Sequence, residues 1–307
     1  MTSTALHVDG LTKRYGARAA VDHLDIELPA GVVAGFVGPN GAGKTTTMAM
    51  LLGLVRPTSG SGTVLGKPID DPATYLSRVG AMIETPAFYP ALSGAANLRM
   101  FATVAGHPTS GIPALLEEVG LGGRGDDRYR SYSLGMKQRL GIAAALLGGP
   151  ELLVLDEPAN GLDPQGVREM RALIGGLAGT GRTVLVSSHD LSELEQVCDW
   201  MVLIDTGRSL YQGPTRTLLD GEAHGLVIAP RHGHELDPLH ELLVASGHRP
   251  ERRDDRVVLD TSGLDITEIA ANVNRAAFDA GIVLAELTPQ RTTLEDRYLS
   301  MVQGGAR

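Results

Sequence analysis

The run Val32-Val33-Ala34-Gly35-Phe36-Val37 carries no polar side chain, and a short unbroken apolar run bounded by turn residues reads as a buried strand. Leu152–Leu155 and Thr183–Val186 read the same way, and Val79–Ile83 reads as a further strand. Ala5–Val8 and Val21–Leu28 also read as strands. In the second, Val21, Leu24, Ile26 and Leu28 stand out against polar neighbours, as on one buried face. Helical spacing predicts helices over Met48–Val55, Ala95–Ala105, Pro113–Val119, Ser133–Leu147 and Pro164 to about Ala178. Gly53–Gly62, rich in glycine and serine, is a turn region before a short strand at Thr63–Leu65, and Gly106–Ile112 is a loop. Met201–Ile204 and Ser209–Gln212 form a hairpin that closes this portion near Gly213-Pro214.

From about Asp220 the composition changes. Strands over Gly225–Ala229, Arg256–Asp260 and Ile282–Glu286 alternate with helical patterns near Leu236–Ala245, Ile266–Phe278 and Leu294–Val302. This predicts a small α/β appendage of three strand–helix pairs, so that the expected domains are 1–219 and 220–307. A helical subdomain is expected at about 85–150. The tail from Gly304 to Arg307 is expected to fray.

Composition narrows the picture in three ways. Aromatic residues are only 4% of the 307, so the core must be built from Val, Leu, Ile and Ala. A net charge of −9 argues against binding nucleic acid through an overall positive field, and no nucleic-acid partner is expected. The single cysteine, Cys198, excludes an intrachain disulfide framework and reads as a small core residue. Met1–Gly10 lacks the basic and apolar regions of a signal peptide, and no apolar run reaches the length of a membrane span. A cytoplasmic chain is therefore expected.

The chemistry begins directly after the first apolar strand, at Gly38-Pro39-Asn40-Gly41-Ala42-Gly43-Lys44-Thr45-Thr46. Strand, glycine-rich loop and helix in that order are what a phosphate-binding loop requires. Glycines at 38, 41 and 43 let successive N–H groups turn inward as an anion nest, and the helix adds its positive end. Lys44 reaches the β- and γ-phosphates, and the Thr45 hydroxyl can ligate Mg²⁺. A second apolar strand ends in Asp156-Glu157, and carboxylates there are costly unless they serve a cation or a proton transfer. Beside a phosphate loop, the first holds Mg²⁺ and the second polarises a water. His189 ends the third strand, where ligands sit in open α/β sheets. Tyr15, just before Gly16, either stacks on a base or is a plain strand-end tyrosine. Ser133 reads locally as an ordinary helix cap.

Together these residues resemble the ATP-binding subunit of an ABC (ATP-binding cassette) transporter, over about Leu6–Gly213. Tyr15 matches the adenine-stacking aromatic, Gly38–Thr46 the Walker A loop, and Ser133-Leu134-Gly135-Met136-Lys137-Gln138 the signature motif. Leu152–Glu157 matches Walker B, Gly161-Leu162-Asp163 the D-loop and His189 the switch histidine. The resemblance implies a P-loop NTPase of the ABC type, an α/β fold with a RecA-like core plus antiparallel β and helical subdomains. It implies ATP and Mg²⁺ as cofactors, a homodimer closing head to tail on two ATP molecules, and a separate integral-membrane permease subunit. Such a chain is peripheral on the inner face of the cell membrane through the permease. By the same resemblance Glu157 is the general base and His189 contacts the γ-phosphate. Ser133 and Gly135 would face the partner's nucleotide, and Asp163 would lie at the dimer interface.

Two residues depart from the family. Glu84 stands where glutamine is usual, and a carboxylate there would hold the metal or water as an acceptor only. Leu134 replaces a glycine of the signature. Glu84, Pro86, Phe88-Tyr89 and the 133–137 stretch resemble bacterial exporters for bacitracin resistance and lantibiotic immunity, as does Leu294-Glu295-Asp296 at the end of their C-terminal extension. The expected function is an ATPase subunit energising export of a drug, antibiotic or peptide. The alternative is a soluble ABC ATPase acting on the ribosome or nucleic acid.

Overall fold

The computed structural model describes residues 3–83, 87–179, 181–219, 225–261, 264–290 and 294–304. They form two compact units, one reaching Thr215 and including the chain from Met301, and one running from Arg216 to Ser300.

In chain order the first unit runs β1 (Thr4–Tyr15), β2 (Arg18–Pro29), β3 (Val33–Val37), α1 (Lys44–Leu51), β4 (Ser59–Val64), β5 (Lys67–Pro68) and β6 (Val79–Met82). It continues with α2 (Gly94–Val104), α3 (Ile112–Glu118), α4 (Leu134–Ala145), β7 (Leu152–Leu155), α5 (Pro164–Ala178) and β8 (Thr183–Ser188). Then come α6 (Leu191–Glu195), β9 (Trp200–Asp205) and β10 (Arg208–Pro214). A six-stranded sheet has the order β10-β9-β3-β8-β7-β6, in which only β10 is antiparallel to its neighbour. Every residue of β3, β7 and β8 is buried, which is why β3 and β7 read as unbroken apolar runs and β8 is apolar through Val184–Val186. Each fully buried Val or Leu there contributes about 1.5–3 kcal/mol. Because β3, β8 and β7 are neighbours, the three loops that leave their carboxyl ends emerge side by side. The phosphate loop, the acid pair and His189 are on those loops.

The second sheet, β2-β1-β4-β5, is antiparallel, and Val21, Leu24, Ile26 and Leu28 of β2 are its buried positions. Both β1 and β2 run to twelve residues, well beyond the apolar segments of the sequence. Gly10 at φ 57° sits where the β1–β2 register shifts, so pairing resumes past it and carries the strand on to Tyr15. The helix after the glycine loop starts at Lys44, earlier than Met48, and ends at Leu51 rather than Val55. Gly43 at φ 102° turns the chain straight into the helix, and Gly53 at φ 68° follows its end. In the helical region, Phe88, Phe101, Tyr129 and Tyr132 pack ring to ring at 5.1–6.0 Å, a local aromatic cluster in an otherwise aliphatic protein.

After α7 (Thr215–Leu219) come β11 (Gly225–Pro230), α8 (Leu236–Ala245), β12 (Pro250–Arg253), β13 (Arg256–Asp260), α9 (Ile266–Asp279), β14 (Leu284–Gln290) and α10 (Leu294–Gly304). The three expected strand–helix pairs are present as β11–α8, β13–α9 and β14–α10, and their strands join a fourth in an antiparallel sheet of order β12-β13-β11-β14. The extra strand, β12, reads Pro-Glu-Arg-Arg and carries no apolar signal, because it is a largely exposed edge. The last strand begins at Leu284 rather than Ile282 and runs to Gln290. Leu239 and Leu243 of α8 and Val273 and Ala277 of α9 meet Leu226, Ile228, Val257 and Leu259 in a core of its own.

Candidate functional site

Gly41 and Gly43 take φ values of 84° and 102°, the left-handed region that a nest of inward N–H groups requires. Two glycines are also demanded by space. A side chain at Gly38 would begin 2.4 Å from the Ile204 carbonyl, and one at Gly43 the same distance from the Ala20 carbonyl. Gly43 caps α1 with no side-chain hydrogen bond, so the first amides of the helix are left for an anion.

Lys44 is buried, and its Nζ donates to the Gly38 carbonyl at 2.6 Å and lies 3.4 Å from Glu157 Oε1. The other oxygen of Glu157 is 2.8 Å from His189 Nδ1. One carboxylate thus stands between the ammonium of the phosphate loop and the imidazole at the end of β8. Glu157 itself has φ 48°, uncommon for a side-chain-bearing residue, and its N–H donates to Ser187 Oγ at 2.9 Å. Asp156 is buried, accepts from Thr45 Oγ1 at 2.7 Å and from Ser187 Oγ at 2.5 Å. Lys44, Thr45, Glu157, Asn160 and His189 share one cleft with Pro39, Asn40, Gly41, Gly43 and Thr46, while Ala42 is buried beneath the loop.

Among the described residues no three His, Cys, Asp or Glu side chains converge as a metal cage. The Thr45–Asp156 pair is the kind of donor set that suits Mg²⁺, which keeps waters and completes its shell from phosphates. Glu84, expected beside the metal, lies outside the described residues.

Ser133, Gly135 and Asp163 line a second cleft, together with Leu134 and Leu162, and do not line the cleft around Lys44. Ser133 caps α4 through Met136 N–H at 3.3 Å, and Asp163 caps α5 through Gly166 N–H at 2.8 Å. Leu134 is 43% exposed at this surface. Tyr15 is 53% exposed at the end of β1, with Lys13 Nζ 5.0 Å from its ring centre, and does not line the phosphate cleft.

Residues beyond the sequence motifs also belong here. Ser187 touches both members of the acid pair, and Asn160 lines the cleft. The signal for Ser187 is register: Leu155 pairs with Val186, so positions 156 and 187 follow side by side. Ser188 Oγ donates to Glu193 Oε2 at 3.2 Å and accepts from Asp190 N–H at 2.9 Å. Burial holds the Glu193 carboxyl above the usual range, with Asp190 adding to the rise. Cys198 lies away from this chemistry, and burial pushes its thiol far up.

The family model described as ABC transporter matches residues 21–160. The bacitracin transport ATP-binding protein BcrA of Bacillus licheniformis is 39% identical over 99% of this chain and 99% of its own. The lantibiotic transport ATP-binding protein SrtF of Streptococcus pyogenes is 42% identical over 67% of this chain and 90% of its own. Among solved structures, cbiO1 of Clostridium perfringens, part of the transporter complex cbiONQ, is 27% identical with a TM-score of 0.64, covering 70% of this chain and 90% of that one.

Proposed function

The chain belongs to the ATP-binding proteins of ABC transporters, and from that premise we propose that it powers export of a peptide antibiotic or a similar drug through a separate membrane permease. Its ATP-binding and ATP-hydrolysing character follows from the family. The cargo is inferred from relatives named for bacitracin and lantibiotic transport. The permease is inferred from their transport role and from the complex to which cbiO1 belongs. Among the described residues no helix is long and apolar enough to cross a membrane, which supports a second subunit as the conduit. On this reading the protein works at the cytoplasmic face of the membrane.

The observation that carries the mechanism is the Glu157 carboxylate set between Lys44 and His189. Lys44, released to the β- and γ-phosphates of ATP, leaves Glu157 free to take a proton from the attacking water. His189 orients that carboxylate and meets the γ-phosphate. Thr45 and Asp156 would hold Mg²⁺, which when bound neutralises charge developing on the phosphates. Ser133 Oγ accepts from the Met136 amide, so its own proton is free to donate outward to a phosphate of a second copy. Gly135 and Asp163 on the same surface would complete that contact in an ATP-closed homodimer.

The test is co-purification of tagged protein from its native membranes, with ATP turnover measured alone and with the recovered partner. Recovery of a polytopic membrane protein that raises turnover supports transport. Recovery of ribosomes or nucleic acid overturns it and leaves the ATP chemistry standing.

A further inference from the structure

We propose that Ser187 is a positioning residue for ATP hydrolysis, binding the two adjacent carboxylates Asp156 and Glu157 into one unit through a single hydroxyl. The proposal rests on the roles given above to those two acids. Ser187 has no exposed surface and makes two hydrogen bonds, at 2.5 Å with Asp156 Oδ1 and at 2.9 Å with the Glu157 amide nitrogen. The direction of the proton is fixed by chemistry. An amide N–H can only donate and an ionised carboxylate can only accept, so Ser187 accepts from Glu157 and donates to Asp156.

Each bond sets something different. Asp156 Oδ1 is taken by Ser187, which leaves Oδ2 turned toward the Thr45 hydroxyl at 2.7 Å. The rotation of that carboxylate, and hence the oxygen available beside Thr45, is fixed from outside the phosphate loop. At Glu157 the bond holds the N–H of a residue whose φ is 48°, and its side chain reaches Lys44 and His189 from that backbone. The route Thr45–Asp156–Ser187–Glu157 therefore runs from the phosphate loop to the base through one buried oxygen. It is anchored by sheet register, since Leu155 pairs with Val186 and the residue that follows each is a member of the clamp. Ser188 faces elsewhere, to Glu193 and the Asp190 amide, as alternation along a strand demands. Two adjacent serines thus have separate duties.

Ser187 is buried and holds the Glu157 amide and Asp156 Oδ1, so its loss should be read through those groups. Outer partners of metal ligands typically change metal affinity or activity by about 10–100-fold when removed. In the full-length protein, Ser187→Ala should weaken Mn²⁺ binding to the ADP-bound form roughly tenfold, followed by electron paramagnetic resonance, and lower kcat by about 10–100-fold with KM little changed. Fluorescent ADP binding in EDTA should stay within about twofold, because the nest and Lys44 are intact. Ser187→Thr, which keeps the hydroxyl, should recover most of both losses, and Ser188→Ala should leave Mn²⁺ affinity as it was. If Ser187→Ala does not fold, Ser187→Cys, of similar size and with a weak donor, is read by the same criteria. Unchanged Mn²⁺ affinity and kcat would overturn the clamp. Parallel loss of metal-free ADP binding would also overturn it, since that marks general collapse of the site. Glu157→Gln tests the base separately: normal hydrolysis in that variant would undo the assignment of Glu157 and leave the Mn²⁺ measurement to judge the Asp156 half of the clamp.

Discussion

Two helix starts in the first unit, those of α1 and α4, are candidates to receive phosphate, and they are built in opposite ways. The α1 start has no side-chain cap, has left-handed glycines before it, and has Lys44, Asp156, Glu157 and His189 linked around it within 3.4 Å. At α4, Ser133 already occupies one amide, and exposed Leu134 forms much of the surface. The first start brings a buried ammonium, two carboxylates and an imidazole; the second brings a dipole and a hydroxyl. Only the first can organise an attack on phosphate by itself. On the proposed reading the second serves as the lid of another copy's site.

The largest effect should come from removing the charge at the first start. Lys44→Ala should abolish measurable turnover, a loss of at least about a thousandfold, and weaken ATP binding. Turnover that survived would break the contrast between the two starts. Glu157→Gln should cost about a hundredfold or more in hydrolysis while ATP still binds, since the amide cannot take a proton. Light scattering should then find an ATP-dependent dimer in that variant.

The second start can be probed through its exposed leucine. With Cys198 buried and its thiol held protonated, the parent protein should resist alkylation at pH 8. Leu134→Cys should label readily, and ATP in the Glu157→Gln background should slow that labelling about tenfold by covering the surface. Labelling indifferent to ATP would remove the lid role. The smallest effect belongs to Glu193. Its carboxyl is raised in the folded state, so the neutral form is favoured there and stability is lost as pH rises from the unfolded value through the folded one. Glu193→Gln should therefore stabilise by a few tenths of a kcal/mol at pH 7, after allowance for solvent screening, and by nothing at pH 3.5. Thermal melts at the two pH values measure the difference.

Much of the first helix start was legible in the sequence because its chemistry is consecutive: nine residues from Gly38 to Thr46, bounded by an apolar strand. Ser187 was not, since its meaning arises only when β7 and β8 pair with Leu155 beside Val186. The second start read as an ordinary cap for the same reason, as nothing local distinguishes Ser133 from other capping serines. In the second unit, helical periodicity placed α8 and α9 well, whereas β12 was invisible because an exposed edge needs no apolar face. The aromatic cluster around Phe88 was hidden by averaging, since a 4% aromatic content says nothing about where the rings gather.

The central position of β3 has a consequence for how the protein is made. It lies between β8 and β9, and the pairing of Val37 with Ser188 joins residues far apart in the chain. At ~5–20 residues per second the ribosome delivers that partner on the order of ten seconds later. Until then the phosphate loop is tethered to an apolar strand with both edges bare, a natural target for chaperones and for misassembly.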